Sequence, residues 1–505
     1  MNEPIKKVTS VASIKDIGTW IRASKQIPKF IAADRYEVIV PARYVRIFEV
    51  LSSPGWIVLD ENELAKEFSI EYVRNRMPQG KEARAGWYFQ QLLKIHALMN
   101  SDFDDDLVLI WDADTIPLKP LIFSHDERLL YFTGTEYHRP YFNAISRLLK
   151  LDKSVNFSFI AQCFPAYVGW VKEFTRHLEE THQKRWFDAI LDCTDLGEIS
   201  GFSEYETLGT FFVHRYIEKM AINHARWERF GEQIAPIGDI LNLPISDDLP
   251  MYVSYESWSK RIEQPKVIFK HAKSEADFLD YFFNHTNESR SIIQVGANDG
   301  EMCDPIFRYL ASANNADVSA ILIEPVEFYF EKLKKLHSKR PNTLLIKAAA
   351  SSVESIRDFY HIDPAIAYEM NGDGPKNDWA HGQGSFFRES VVHWIDQNAF
   401  RGESYRANMP RFKDAILESK VNCFPLKNLA IGGKLLSLLL IDVQGAELDV
   451  LLGMDWCAPP DFIIYEQDIA RIKVIEDLLN AMGFSYLCGL SNLVFYNTST
   501  VAIGN

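Results

Sequence analysis

Two aspartates one residue apart, Asp112 and Asp114, directly follow the apolar run Leu107–Trp111. Five consecutive apolar residues read as a buried strand, and the chain leaves the pleat at its end, so both carboxylates can reach one hard divalent cation. A polar turn is the competing reading for the pair, and the neighbouring Asp102, Asp104, Asp105 and Asp106 read as such a turn. Ser203 followed three residues later by Glu206 is a capping-box pattern, which leaves Glu204 as a less committed first-turn carboxylate. Glu204 suits either complementation of a helix dipole or general-base removal of a proton from a hydroxyl.

A second set lies further along. Gly296 and Gly300 bound a five-residue loop after an apolar run, the glycine usage of a loop that turns tightly against a ligand. The spacing is not the G-x-G-x-x-G of dinucleotide sites, so NAD is the weaker ligand. Glu324 ends the next apolar run, where a carboxylate can accept hydrogen bonds from two ribose hydroxyls. Asp442 and Glu447 stand at and just beyond the end of Leu436–Ile441. A turn cap and a helix-start charge are their plain roles, and assisting proton removal is their chemical one.

These residues need strand ends to present them. Runs at 8–13, 36–40 and 56–59 read as strands, with a helix at 14–30. Strands alternating with helices predict a largely parallel sheet that binds ligands at its carboxyl ends. Between Ala85 and Met99, the positions Ala85, Phe89, Leu92, His96 and Met99 recur at helical spacing and predict the buried stripe, leaving Trp87, Gln91 and Lys94 on another, solvated face. A second series of strands is predicted at 291–295, 320–324, 343–347, 436–441 and 462–465. The chain of 505 residues exceeds the roughly 250 to 300 residues of a single core, so two domains are expected, 1–280 and 281–505, with 270–288 as connector.

The segments 86–94, 109–117 and 202–206 together resemble a family of bacterial GT-A-type glycosyltransferases formerly catalogued as of unknown function, over roughly residues 8–273. That resemblance implies a nucleotide-sugar donor carrying UDP or GDP, a glycan acceptor and a divalent cation, Mn²⁺ or Mg²⁺. Asp112 and Asp114 then look like the metal pair, and Trp87, Gln91 and Lys94 part of the donor or acceptor pocket. His271 is a late histidine of the kind that completes the metal shell in such enzymes.

The segments 295–301, 323–325, 384–386 and 439–447 closely resemble the FkbM family of O-methyltransferases, over about residues 291–496. Gln444 stands where the family usually has Glu. The resemblance implies a Rossmann-like class I methyltransferase fold with S-adenosylmethionine held by Gly296, Asn298, Asp299, Gly300 and Glu324, Ser385 beside it, and Asp442 and Glu447 near the methyl acceptor. The expected whole is an α/β enzyme of glycan assembly with two activities. The alternative is one catalytic half beside a glycan-binding or scaffolding half.

A net charge of -15 argues against nucleic-acid binding, which needs clustered Lys and Arg. Residues 1–10 lack the apolar core of a secretory signal, and the most apolar stretch, 435–443, is shorter than the about 20 residues of a membrane span. Six cysteines without a C-x-x-C pair fit reduced thiols. The expectation is a cytoplasmic protein with at most peripheral contact to a lipid-linked acceptor.

Overall fold

In a computed structural model, residues 3–256, 267–285, 289–302, 304–370, 380, 382–429, 436–466 and 472–504 are described. The chain divides into two compact units, Met1–Arg261 and Ile262–Asn505.

The first unit is built on a five-stranded sheet whose order is Trp56–Asp60, Ala33–Val40, Ile5–Val11, Leu107–Trp111 and Cys163–Tyr167. The first four run parallel and the last antiparallel. Counted along the chain, the parallel strands lie in the order 3-2-1-4, the nucleotide-binding half of a doubly wound sheet and the GT-A-like arrangement expected. All five residues of Leu107–Trp111 are buried, as a strand covered on both faces requires. A short strand, Thr115–Pro117, follows the aspartates and pairs antiparallel with Tyr252–Ser254, placing Ser254 opposite Thr115.

The helix Ala85–Met99 departs from its expected pattern. Gln91 and Lys94 are buried, whereas His96 and Met99 are only partly so. One apolar stripe describes a helix lying on a single surface. This helix packs on Ile5–Val11 and Leu107–Trp111 and also against the helices Val168–His182 and Glu204–Tyr216. Its polar face is therefore roofed rather than solvated.

The second unit has a seven-stranded sheet ordered Thr343–Ile346, Ser319–Ile323, Arg290–Val295, Leu436–Ile441, Phe462–Glu466, Asn492–Asn497 and Phe484–Cys488. Numbered along the chain, this is 3-2-1-4-5-7-6, with the seventh strand antiparallel to its neighbours, the Rossmann-like class I methyltransferase arrangement. A four-stranded sheet, containing Gly384–Ser385 beside Ser355–Ile362, lies in the same unit. The stretch read as a connector contains the helix Glu275–Asn284, whose Phe278, Phe282 and Phe283 enter this unit's core. The preceding strand Val267–Lys270 pairs in parallel with Val501–Gly504. No described helix is long and apolar enough to cross a membrane.

Candidate functional site

In the first unit, the end of Leu107–Trp111 carries Asp112 into a cluster of buried polar groups. Lys94 Nζ lies 2.6 Å from Asp112 Oδ1 and 2.9 Å from Glu204 Oε1. The Tyr205 hydroxyl donates to Asp112 Oδ1 at 2.6 Å, and Lys94 donates to the Tyr205 oxygen at 3.3 Å. Tyr205 is held by stacking on Phe164, which sits opposite Ile110 in the sheet. Gln91 Oε1 accepts from the Glu204 backbone N–H at 3.5 Å. Gln91, Lys94, Asp112 and Glu204 are thus brought together, while Trp87 packs against Tyr88 and under the Arg84 guanidinium.

The helix Glu204–Tyr216 begins at Ser203, whose Oγ accepts from the Glu206 N–H. The return half of the expected capping box is not formed. The Glu206 carboxylate instead accepts from Lys153, the Ser158 hydroxyl and the Phe159 N–H, and so anchors a loop. Glu204 is left facing Lys94 at the start of the helix.

The charges explain one another. Burial alone depresses the Lys94 ammonium, but Asp112 and then Glu204 outweigh it and hold it above the ordinary lysine range. Burial raises the Glu204 carboxyl, opposed by Lys94 and reinforced by Asp112. Asp114 accepts from Thr115 Oγ1 at 3.2 Å and Ser254 Oγ at 3.3 Å, and is pushed up to about 8 by burial, then by Asp112, Asp16 and Glu256. Asp16 and Glu256 are neighbours of the pair that residue spacing did not single out, because they come from elements far away in sequence.

Asp114 makes the first unit sensitive to pH. A carboxyl whose folded value lies above its unfolded 3.8 contributes stability that is full below 3.8 and is lost as pH rises through about 8. Lowering the pH from about 8 to about 5 is therefore expected to raise the thermal midpoint of the wild type more than that of Asp114→Asn, which carries no charge at either pH. Equal slopes in a melting series would contradict this.

Among the described residues, no group of three or more His, Cys, Asp or Glu is arranged to hold a metal. Asp112 and Asp114 remain a pair of hard donors, and their crowding with Asp16 and Glu256 is the kind a divalent cation relieves. His271 is not part of this unit. It follows Val267–Lys270, whose partner strand Val501–Gly504 belongs to the second unit, and is exposed there. An apolar run announces a strand but not the sheet that the strand joins.

In the second unit, the loop after Arg290–Val295 is bent by three left-handed residues, Gly296, Asn298 and Gly300. A side chain at Gly296 would stand 1.8 Å from the Asp442 carbonyl oxygen, and one at Gly300 would stand 2.5 Å from Leu333. These glycines answer first to neighbouring protein, which lets the loop sit low between strands. Glu324 Oε2 accepts from the Asn298 N–H and Oε1 from the Val326 N–H, each at 2.9 Å. Burial pushes this carboxyl up to about 7 against those two hydrogen bonds, with Asp299 and Asp442 adding to the rise. Asp299 Oδ1 accepts from the Glu301 and Met302 N–H groups, which shapes the loop. Ser385 is buried and its Oγ accepts from the Phe387 N–H. Glu447 is buried at a helix start and accepts from the Gly445 N–H. Gly296, Asn298, Glu324 and Asp442 converge at the carboxyl ends of adjacent strands.

Residues 294–486 match the methyltransferase FkbM domain. Within this domain the strand-end set just described falls where a doubly wound sheet takes its ligand. Residues 23–230 match a family of unknown function, DUF6492. Among solved structures, the chain is similar to mouse xyloside xylosyltransferase 1 in its apo form, at 8% identity and TM-score 0.32, over 51% of this chain and 99% of that one. It is also similar to the galactosyltransferase LgtC in complex with donor and acceptor sugar analogs, at 11% identity and TM-score 0.28, over 49% and 86% of the two chains. No curated protein matches.

Proposed function

We propose that the chain is a bifunctional enzyme of glycan assembly in the cytoplasm. Its first unit transfers a sugar from a UDP- or GDP-linked donor to a glycan acceptor, and its second O-methylates a sugar hydroxyl with S-adenosylmethionine. The observation that carries the reading is that each unit gathers carboxylates with polar partners at the carboxyl ends of its parallel strands.

In the first unit, Asp112 and Asp114 would hold Mn²⁺ or Mg²⁺, which when bound neutralises the diphosphate of the departing nucleotide. Lys94 orients Asp112 through their ion pair. Glu204, raised by burial, is the group suited to take the proton of an acceptor hydroxyl. In the second unit, Glu324, steadied by the Asn298 and Val326 amides, offers its remaining lone pairs to the ribose hydroxyls of S-adenosylmethionine. Asp442 at the neighbouring strand end serves the methyl acceptor.

Calorimetry of the full chain with S-adenosylmethionine, and with UDP- and GDP-sugars with and without Mn²⁺, tests both halves. Glu324→Ala is expected to weaken S-adenosylmethionine binding about tenfold or more, since it removes hydrogen bonds to an ionised group. A unit that binds neither class of ligand while the other turns over would be a glycan-binding or scaffolding module instead.

A further inference from the structure

Phe462–Glu466 ends one residue beyond the predicted strand, and that residue, Glu466, enters the site beside Asp442. The two carboxyls come from adjacent strands in register, Ile441 opposite Tyr465. Between them lies the Gln444 side chain, whose single amide nitrogen donates to Asp442 Oδ1 at 2.8 Å and to Glu466 Oε2 at 2.7 Å. Gln444 adopts φ 53°, a conformation that residues with side chains rarely take, so the clamp is held by an unusual backbone. Asp442 is the exposed member of the pair and Glu466 is partly buried.

Resting on the methyltransferase reading above, we propose that Glu466 is a positioning residue for methyl transfer, sharing one proton with Asp442 while the Gln444 amide clamps the two carboxyls together. In the transfer, the acceptor oxygen bonds to the methyl carbon, the carbon–sulfur bond breaks with its electron pair going to sulfur, and the hydroxyl proton passes to Asp442. Two carboxylates this close do not both ionise at neutral pH, so the retained proton rests on Glu466 and leaves Asp442 as the ionised base.

The electrostatics agree with the geometry. Burial, then Asp442 and Glu447, push Glu466 up to about 8. Asp442 keeps a solvent-exposed edge, yet the protein enclosing the rest of its carboxyl also raises it, against its hydrogen bonds with Gln444 and Glu466. Among the described residues, the other charged groups bearing on the pair are acidic, Glu275 on the helix Glu275–Asn284, Glu324 and Glu447. The amide at 444 supplies two donors there. A glutamate would add a third carboxyl and no donor.

Infrared titration of the full chain reads the shared proton directly. Because Asp114 and Glu324 also titrate late, the signal is the wild-type minus Glu466→Gln difference spectrum, which is expected to show one protonated carboxyl that is lost only near pH about 8. Gln444→Leu, which removes the clamp and neither acid, is expected to shift the same titration by about one unit or more and serves if Glu466→Gln does not fold. Calorimetry is expected to show S-adenosylmethionine affinity within about twofold of wild type in Glu466→Gln, since the proton serves the acceptor. A wild-type chain that binds S-adenosylmethionine but whose difference spectrum against Glu466→Gln shows no late-titrating carboxyl overturns the proposal alone. A chain that shows the late proton but binds no S-adenosylmethionine overturns the methyltransferase reading, and the proposal with it.

Discussion

Lys94→Met is expected to remove about 3–5 kcal/mol from the stability of the first unit, because it leaves buried carboxylates without their cation. Lys94 is 4% exposed and is the ammonium within 2.9 Å of Asp112 and Glu204, which are themselves drawn off the solvent. Methionine fills much of the same volume, so the loss is electrostatic rather than a cavity. A second exchange separates the two causes. Lys94→Met with Glu204→Gln removes one stranded charge and is expected to recover part of the loss, giving a coupling energy in the double-mutant cycle. The measurement is the first unit's thermal transition, which moves by roughly 2–4 °C for each kcal/mol in a domain of this size. An unchanged transition in Lys94→Met would mean that the cluster is open to water and its charges screened.

The strand ends were legible in the sequence, and the environments around them were not. Asp112, Glu324 and Asp442 each directly follow an apolar run, with Asp114 two residues beyond Asp112, and such a run marks both a buried strand and the place where polar chemistry begins. The face carrying Gln91 and Lys94 was visible from helical spacing, yet it read as solvated. Only the arrival of Glu204–Tyr216, more than a hundred residues downstream, covers it. His271 shows the same limit, since its strand finds a partner at Val501–Gly504. Gly296 was legible as a position where the loop turns tightly against a ligand, but the atom that excludes a side chain is the carbonyl of Asp442, brought near by the pairing of Arg290–Val295 with Leu436–Ile441. Glu466 was missed by one residue at a strand end, and Glu206 was assigned a cap that its carboxylate does not complete. In each case the local pattern was sound and the long-range partner decided the role.

The paired exchange Asp112→Asn with Asp114→Asn is expected to lower nucleotide-sugar turnover by about 10²–10³-fold, the scale of losing preorganised charge stabilisation at a departing group. Asparagine keeps the size of each side chain and one acceptor oxygen, so the Tyr205 hydroxyl and Lys94 retain a partner while neither position can offer an anionic ligand to a cation. Stability is a necessary control, because Asp112 also balances Lys94. With Asp112 neutral, Glu204 remains 2.9 Å from the ammonium, so the unit is expected to stay folded. The Asp114 exchange mimics the protonated form that burial, and then crowding by Asp112, Asp16 and Glu256, favours up to about pH 8 when no cation is bound. Turnover of UDP- and GDP-sugars is measured against added Mn²⁺. The wild type is expected to respond to the cation and the variant not to, with S-adenosylmethionine binding equal in the two. Full turnover in the variant would separate these aspartates from the donor diphosphate and leave Asp112 as the counter-charge that keeps Lys94 beneath the helix Glu204–Tyr216.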